Sequence, residues 1–259
     1  MQLENKIAAV TGGTAGIGRS ITEAFLREGA SVSIMARNAE KAEQMVNELN
    51  LGDRLIFIQG DATQQESVEA FIDQTVELFG TIDIMVNNAG GAGGDLQPTV
   101  SLSDEEFDFC MKINLYATFW GTRRALKTML AKQSGRVINI SSVEGKHGKP
   151  VLTAYTAAKH AINGMTKSVA REVGTYGITV NAICPGLILT DIVLDTGPAT
   201  AEAMGITFEE MVEMFVADSA LKRPNEVKEV AELAVLLASE AGAGITGQQI
   251  SVDGGTSQY

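Results

Sequence analysis

Residues that build metal clusters or disulfide frameworks are scarce in this chain of 259 residues. It contains only two cysteines, Cys110 and Cys184, and two histidines. The cysteines lie far apart, and no familiar zinc-ligand spacing joins them to the histidines. We therefore expect no metal site, and two buried thiols in a reducing compartment.

Positive charge and long apolar runs are also lacking. The chain carries 20 Lys and Arg residues against 32 Asp and Glu residues, a net charge of -12 at pH 7, which argues against nucleic acid or an anionic membrane surface as a main partner. No stretch approaches the roughly 20 apolar residues that span a bilayer. Charges interrupt the opening MQLENKIAAV, unlike a signal peptide. We expect a cytoplasmic protein.

Short apolar runs alternate with stretches of helical periodicity along almost the whole chain. The runs that predict strands lie at 6–11, 31–37, 54–61, 82–90, 136–142, 177–186 and 248–255. Strands that are buried on both faces and alternate with helices form a parallel sheet. The sequence therefore predicts an α/β fold: a single Rossmann-like domain over residues 1–259, with a doubly wound parallel sheet of about seven strands flanked by helices.

Residues 187–224 depart from this alternation, since Gly197 and Pro198 break the periodicity. One helix is predicted there, after the N-cap Thr207, with Glu210 in the capping-box position. The segment is rich in apolar residues, methionine in particular, and we interpret it as a mobile lid over a bound substrate. The alternative is that these residues simply pack on the body of the protein.

The first predicted strand runs into the glycine-rich stretch TGGTAGIG, residues 11–18. Gly12 would permit a tight turn, Gly16 would let the backbone approach a ligand, and Gly18 would let the next helix pack closely on the sheet. The N–H groups and the dipole at the helix start favour a pyrophosphate; the alternative is a plain glycine-rich turn. The spacing T-G-x3-G-x-G resembles that of the short-chain dehydrogenase/reductase family.

Further motifs, in the order typical of that family, extend the resemblance over essentially the whole chain. They are NNAG at 87–90, INISS at 138–142, AYTAAKHA at 154–161 and ICPG at 183–186, followed by Thr190. The resemblance implies an NAD(P)(H)-dependent oxidoreductase that interconverts a small-molecule ketone and a secondary alcohol. It also implies a set of cofactor-binding residues, namely Gly12, Thr14, Gly16, Ile17, Gly18, Arg37, Asn38, Asp61, Ala62, Asn88, Ala89, Gly90, Tyr155, Lys159, Pro185, Gly186, Ile188 and Thr190.

The end of the second predicted strand bears on the choice between NAD(H) and NADP(H). An acidic residue there binds a ribose 2′-hydroxyl and repels a 2′-phosphate, but this chain has Ala36, Arg37 and Asn38. Since a guanidinium pairs well with a phosphate, we expect a preference for NADP(H), with NAD(H) as the alternative. Arg37 could otherwise be a solvated cation at the strand end. The resemblance places Asp61 at the adenine edge, and a helix N-cap is its alternative role.

Tyr155 and Lys159 lie four residues apart, so that in a helix they share one face. Tyrosine has a pKa of about 10, and a neighbouring ammonium lowers it, which would let the hydroxyl donate a proton to a carbonyl or take one from an alcohol. The pair alone could equally be an ordinary helix surface, and only the resemblance makes it catalytic. Ser142 lies thirteen residues before Tyr155, the family's spacing for the serine that holds the substrate oxygen, with Ser141 as its neighbour.

Asn114 lies within the predicted long helix 104–132. The resemblance adds it to the catalytic set and implies that an asparagine here interrupts the helix and holds a water that links Lys159 to bulk solvent. The alternative is a mid-helix side chain that faces solvent.

The substrate is not identified by these motifs, because the family acts on many substrates with one catalytic set. Three variable segments should line its pocket, at 91–98, 143–152 and 187–220, and the apolar character of the last favours an apolar substrate. Two polar residues in the second segment could contact a polar substrate group or lie at the surface. The substrate candidates are Gly94, Glu144, His147, Leu187, Leu189 and Met211.

Two other functions stay open. The chain also resembles 3-oxoacyl-thioester reductases, but Gln133 and Tyr176 stand where those enzymes often carry basic residues for an acidic carrier protein. It could also be a non-catalytic cofactor-binding subunit or sensor, although Tyr155 and Lys159 are both present. The family commonly assembles as tetramers, so the resemblance implies a homotetramer.

Overall fold

A seven-stranded parallel sheet forms the centre of the protein in this computed structural model, which describes residues 1–92 and 97–258. The sheet order is β3-β2-β1-β4-β5-β6-β7. The strands are β1 (Ile7–Thr11), β2 (Ser31–Ala36), β3 (Leu55–Gln59), β4 (Ile84–Asn87), β5 (Gly135–Ile140), β6 (Ile178–Pro185) and β7 (Gln249–Val252). Every neighbouring pair is parallel, and the predicted α/β, Rossmann-like doubly wound sheet is confirmed.

Helices cover both faces of this sheet. They are α1 (Gly16–Arg27), α2 (Ala39–Leu49), α3 (Gln65–Phe79), α4 (Asp104–Met111), α5 (Ala117–Lys132), α6 (Thr153–Val173), α7 (Asp191–Ala203), α8 (Phe208–Val216) and α9 (Val227–Ala238). Successive residues of β1 point to opposite faces. Ala8 and Val10 therefore pack in the core with α1 and α9, whereas Ala9 packs in the core with α3, α5 and α6.

The order of the strands reverses at β1, which pairs with β2 on one side and with β4 on the other. In open α/β sheets, ligands bind outside the carboxyl ends of the strands at such a reversal. The carboxyl ends of β1, β4 and β5 bring Thr11, Asn87 and Ile140 to this edge. The topology therefore gathers the glycine loop and the NNAG and INISS motifs at one place.

A chain of buried polar side chains crosses the middle of the sheet. The Asn87 amide on β4 donates to Asn139 Oδ1 on β5 at 2.8 Å and to Thr122 Oγ1 on α5 at 3.0 Å. Asn139 in turn donates to Thr166 Oγ1 on α6 at 2.9 Å. Since all four side chains are at most 2% exposed, these bonds link two strands to two helices away from water.

The region 187–224 contains a helix that the sequence does not predict. The helix α7 runs through Gly197 and Pro198, although proline lacks the N–H that a helix interior needs. A Cβ at position 197 would overlap the Phe208 ring, so the glycine lets α7 and α8 pack closely. The expectation of an irregular segment is wrong here because packing between the two helices outweighs local propensity.

The predicted capping box at the start of α8 is confirmed. Thr207 accepts a hydrogen bond from the Glu210 N–H at 3.1 Å, and the Glu210 carboxylate accepts one from the Thr207 N–H at 2.8 Å. The helix ends at Val216, whereas the sequence pattern predicts a helix over 207–220.

The described residues contain no helix whose length and apolar character would suit a membrane crossing. The same part of the chain brings together no group of three or more His, Cys, Asp or Glu side chains that could hold a metal ion.

Candidate active site

The glycine loop between β1 and α1 fits a bound pyrophosphate. Gly12 has a φ of 67°, in the left-handed region that favours glycine, and a Cβ on Gly18 would overlap the Gly12 carbonyl oxygen. The helix N-cap, Ala15, offers no side-chain cap, and the first turn of α1 holds no acidic residue. The helix dipole and the first-turn N–H groups therefore favour an anion there.

A threonine that the sequence analysis does not single out holds this loop in place. Thr11 Oγ1 accepts hydrogen bonds from the N–H groups of Asn88 and Ala89, each at 3.0 Å. The Asn88 amide donates to the carbonyls of Thr11 and Gly12 at 2.9 and 3.0 Å. Asn88 thus ties the NNAG motif to the glycine loop. The signal that could have identified Thr11 is its place as the last residue of β1, directly before the glycines.

Among the described side chains at the adenosine end of the expected cofactor site, the Arg37 guanidinium forms no ion pair. Arg37 is exposed, and its carbonyl accepts a hydrogen bond from Gln59 Nε2 at 3.1 Å. Asn38 caps α2, because its Oδ1 accepts from the Lys41 N–H at 2.9 Å. The Lys41 ammonium lies 2.8 Å from the Asp191 carboxylate at the start of α7.

Asp61 is part of a turn rather than a helix cap. Its Oδ1 accepts from the N–H and the hydroxyl of Thr63, both at 2.9 Å, while the N-cap of α3 is Gln64. The alternative N-cap role is therefore wrong. Ala62, beside it, is an apolar residue that is only 6% exposed.

Three residues of the predicted catalytic set come together, Ser142 just after β5 and Tyr155 and Lys159 on α6. The Tyr155 and Ser142 side chains are hydrogen-bonded, and Ser142 Oγ also accepts from the Glu144 N–H at 3.1 Å. Lys159 lies one turn along α6, with its Nζ 5.3 Å from the centre of the Tyr155 ring. That ammonium donates to the Ile140 carbonyl at 2.9 Å, which anchors it at the end of β5.

Burial sets the pKa of both ionisable groups in this set. It raises the pKa of Tyr155 to about 12, against the opposing effect of the Ser142 hydrogen bond and with a further increase from the Glu144 charge. It lowers the pKa of Lys159 to about 8. In the protein alone the pKa of Tyr155 is therefore shifted in the direction opposite to the expected one, because the loss of hydration on burial is the largest effect on this hydroxyl.

Asn114 lies in a π-helical turn, Lys112–Tyr116, that joins α4 to α5. Its amide donates to the carbonyls of Gly91 and Cys110 at 2.8 and 2.9 Å, and its Oδ1 accepts from the Gly91 N–H at 3.1 Å. The side chain is fully buried, so the alternative of a solvent-facing asparagine is wrong. The interrupted helix agrees with the expectation, and the observed contacts clamp the segment after β4.

Gly90 lies between Asn114 and Lys159. A Cβ at that position would stand 2.6 Å from Asn114 Oδ1 and 3.5 Å from Lys159 Nζ. The glycine therefore lets the backbone after β4 pass close to both side chains.

Glu144 is not a surface residue, contrary to one of the two expectations for it, and His147 is half-buried. Glu144 is 5% exposed, and its Oε1 lies 3.4 Å from His147 Nε2 and 3.8 Å from Lys149 Nζ. The Lys149 ammonium lies 4.4 Å from the centre of the Phe215 ring on α8. The segment after Ser142 is thus linked to the second helix of the expected lid.

The segment after β6 passes over the glycine loop. The Thr190 methyl group lies 3.1 Å from the place of a Cβ on Gly16, and Gly186 donates to the Val252 carbonyl at 3.0 Å. The remaining predicted residues differ in exposure: Pro185, Ile188, Met211 and Thr14 are buried, Ile17 and Leu187 are half-buried, and Leu189 is exposed. Gly94 lies outside the described residues.

Asn163 is a second residue that the sequence analysis does not identify. It is 5% exposed, and its amide donates to the Gly145 carbonyl at 2.8 Å, which holds the turn that follows Ser142. Its position continues the four-residue spacing of Tyr155 and Lys159 along α6, and that spacing is the signal that could have identified it.

Comparison with known proteins agrees with this geometry. The family model described as short chain dehydrogenase matches residues 6–200. The chain is 36% identical over 257 residues to (+)-borneol dehydrogenase 2 of Salvia officinalis, an alignment that covers 98% of this chain and 90% of that protein. It is 36% identical over 253 residues to the 3-oxoacyl-(acyl-carrier-protein) reductase of Haemophilus influenzae, with 98% of each protein covered.

A solved structure shows the same architecture. It is a crystal structure of a variant of actinorhodin polyketide ketoreductase with NADPH, and it superposes with a TM-score of 0.92 at 33% identity over 98% of both chains. The family model matches most of the chain, and both relatives are aligned over at least 90% of their length. The chain belongs to the short-chain dehydrogenase/reductase family and is an NAD(P)-dependent dehydrogenase or reductase.

Proposed function

We propose that this enzyme interconverts a ketone and a secondary alcohol by hydride transfer, with Tyr155 as the general acid and base. The observation that carries the proposal is the contact between the Tyr155 and Ser142 side chains beside the ammonium of Lys159. These groups lie at the carboxyl end of β5, beside the strand-order reversal where open sheets bind ligands.

In the direction of reduction, Ser142 holds the substrate oxygen by a hydrogen bond while Tyr155 donates its proton to that oxygen. A bound reduced nicotinamide supplies the hydride, which the carbonyl carbon gains. The C=O double bond becomes a C–O single bond, and the product is the neutral alcohol. In the direction of oxidation, Tyr155 takes the hydroxyl proton.

Lys159 is suited to return the proton to Tyr155. Its pKa of about 8 lets it exchange protons near neutral pH, and its ammonium lies over the Tyr155 ring. Asn114 stands on the other side of Gly90 and, in the proposal, orders the water through which Lys159 reaches solvent. Lys159 would also bind the nicotinamide ribose.

The proposed cofactor is NADP(H), bound by the residues predicted from the sequence. Arg37 supports this preference, because its guanidinium is exposed at the end of β2 and no carboxylate stands at Ala36 or Asn38 to repel a 2′-phosphate. The ketoreductase with the similar structure is named with NADPH.

The preference is tested by measuring the Kd of NADPH and of NADH by fluorescence. Arg37→Ala should weaken NADPH binding about tenfold or more and leave NADH binding nearly unchanged. Arg27→Ala, which removes another exposed arginine at the end of α1, serves as the control. Equal affinity of the wild type for both cofactors would overturn the preference.

The substrate is proposed to have a largely apolar body. The segment 187–224, proposed as the lid, presents exposed apolar side chains at Leu189, Ile192, Met204 and Met214. Such side chains favour a hydrophobic ligand.

Reduction of a 3-oxoacyl thioester is the second candidate, because a relative at 36% identity carries that name. Gln133 and Tyr176 argue against a carrier-protein surface at those two places. Thioester substrates therefore belong in the same screen as simple ketones.

The experiment is a spectrophotometric screen of NADPH oxidation with aliphatic, cyclic and aromatic ketones and with acyl thioesters. Tyr155→Phe should abolish turnover while NADPH binding persists, since only the acidic hydroxyl is removed. Tyr176→Phe, which removes an exposed hydroxyl beyond the end of α6, is the matched control. Turnover by the Tyr155→Phe enzyme would show that another group is the acid.

A further inference from the structure

Unpartnered buried polar atoms are concentrated beside the proposed catalytic residues. Eight buried side-chain nitrogen and oxygen atoms in the described part of the chain have no hydrogen-bond partner, and three of them belong to Glu144, His147 and Thr156. The segment that holds these three runs from the turn after Ser142 to the first turn of α6. Buried polar atoms without partners are costly, so a ligand group at this place has a physical reason to bind.

Two of these atoms complement one another. Glu144 Oε2 is an acceptor, and His147 Nε2 can carry a proton when it stands as a neutral ring with its proton on that nitrogen. The two side chains are neighbours, since His147 Nε2 lies 3.4 Å from the other carboxylate oxygen, Glu144 Oε1. A hydroxyl group can donate to the carboxylate and accept from the imidazole at the same time.

The position of Glu144 ties this pair to the reacting carbonyl. Its backbone N–H donates to Ser142 Oγ at 3.1 Å, and its charge is close enough to act on the pKa of Tyr155. A substrate whose carbonyl oxygen meets Ser142 and Tyr155 would therefore bring its neighbouring carbon atoms towards the carboxylate.

The charges around the pair favour a neutral partner. The carboxylate disfavours a second anion beside it, such as the carboxylate of a 3-oxo acid. The Lys149 ammonium, 3.8 Å from Glu144 Oε1, already balances the carboxylate and opposes a second cation. A neutral hydroxyl meets neither repulsion.

Building on the proposed ketone reduction, we propose that Glu144 and His147 form a hydroxyl-recognition subsite. The enzyme would then prefer hydroxyketones, and the corresponding diols, whose hydroxyl lies on a carbon next to the carbonyl carbon. The rest of such a substrate remains apolar and contacts the proposed lid.

The test compares three ketones that share one apolar body. They are α-hydroxyacetophenone, propiophenone, which replaces the hydroxyl by a methyl group of similar size, and α-methoxyacetophenone, which keeps the oxygen but has no hydrogen to donate. The wild type should show a kcat/KM for the hydroxyketone at least about tenfold above both analogues, because a site that hydrogen-bonds a substrate group discriminates against analogues that leave it unpaired.

Glu144→Leu should reduce that preference to about the intrinsic reactivity ratio of the ketones, and His147→Phe should reduce it in part. Glu77→Leu, which replaces an exposed carboxylate on α3, is the control and should keep the wild-type ratio. Wild-type rates that are equal for all three ketones overturn the subsite and leave the ketone reduction intact. A preference that survives in Glu144→Leu also overturns it. If none of the ketones in the wider screen is reduced while NADPH binds, the proposed function itself fails.

Discussion

At the scale of single residues, Tyr155 and Lys159 have pKa values that burial shifts in opposite directions. Tyr155 rises to about 12 and Lys159 falls to about 8. The tyrosine is therefore a fully protonated acid at neutral pH, and the pKa of the lysine lies only about one unit above pH 7. This arrangement suits proton donation in ketone reduction better than proton removal in alcohol oxidation.

The two directions of the reaction should consequently differ in pH dependence. Oxidation needs the ionised form of Tyr155, whose population grows about tenfold per pH unit below its pKa. We expect kcat/KM for alcohol oxidation to rise between about pH 7 and 9, while ketone reduction changes little below the pKa of Lys159. Steady-state rates at constant ionic strength measure both, and a flat oxidation profile would contradict the assignment of Tyr155 as base.

The burial of Lys159 should also affect the free energy of unfolding. Its pKa is lowered from the ordinary value of 10.5 to about 8, so the cost of burying the charge is fully present below pH 8 and disappears as the pH rises through 10.5. Lys159→Met should raise the free energy of unfolding at pH 7 by about 1–3 kcal/mol, less whatever the lost bond to the Ile140 carbonyl contributes. The gain should shrink towards pH 10.

Urea unfolding at a series of pH values measures this difference. Lys167→Met replaces an exposed lysine of the same helix and should show no such pH-dependent gain. The prediction fails if Lys159→Met is less stable than the wild type at pH 7 and if its stability relative to the wild type does not increase as the pH falls from 10 to 7. The ammonium would then be well solvated or strongly paired.

At the scale of the elements, the close packing of α1 on the glycine loop depends on one missing side chain. A Cβ on Gly18 would overlap the Gly12 carbonyl and crowd the Asn88 amide, whereas a Cβ on Gly164 in α6 would meet nothing within 4 Å. The two glycines lie in helices, yet only the first lies where backbone and cofactor should meet.

Alanine at these two positions should therefore have opposite effects. Gly18→Ala should cost about 1–3 kcal/mol of stability and weaken NADPH binding about tenfold or more, because the loop must shift. Gly164→Ala should raise stability by about 0.5–1 kcal/mol, since alanine lowers the entropy of the unfolded chain and suits a helix. Calorimetry and fluorescence titration measure the two effects, and unchanged NADPH affinity in Gly18→Ala would contradict the role of the loop.

The elements also show which features the sequence could predict. The order of strands and helices follows from apolar runs and glycine stops, and the capping box of α8 follows from Thr207 and Glu210. The helix α7 could not be predicted, because Pro198 disfavours it locally and only the packing of Gly197 against Phe208 reveals its reason. The burial of Glu144 was missed for a similar reason, since the neighbours that cover a side chain are distant in sequence.

Some residues of the candidate site can be predicted from the sequence, and others cannot. Ser142, Tyr155 and Lys159 follow from family spacing, and the structure brings them together. Thr11 and Asn163 were missed because each acts on backbone groups of another segment, a contact that no local pattern encodes. The pKa of Tyr155 was expected to fall, because a sequence shows the nearby ammonium but not the extent of burial.

At the scale of the whole molecule, one helical face carries several exposed aromatic side chains. Phe109 on α4, Tyr116 in the π-helical turn and Phe119 on α5 are each more than 40% exposed, and their spacing puts them on neighbouring turns. Exposed apolar patches of this kind often mark protein interfaces. The face supports the homotetramer that the family resemblance implies.

Sedimentation should therefore give a mass near four copies of the 27.4 kDa chain. Phe119→Glu places a charge in the proposed interface and should shift the mass to smaller species. Leu78→Glu, at an exposed apolar residue near the end of α3, should leave the assembly unchanged. A wild-type mass near 27 kDa would contradict the tetramer.

The polar chain through Asn87, Asn139 and Thr166 has a consequence for folding fidelity. A parallel sheet of apolar strands offers few penalties for sliding one strand along its neighbour, since most side chains are alike. A slip of β5 by one residue would turn Asn139 to the opposite face and leave several buried amides and hydroxyls without partners at once. These polar side chains thus select one strand alignment among near-equivalent ones. Their replacement by apolar residues would give a protein that still collapses but populates several strand registers.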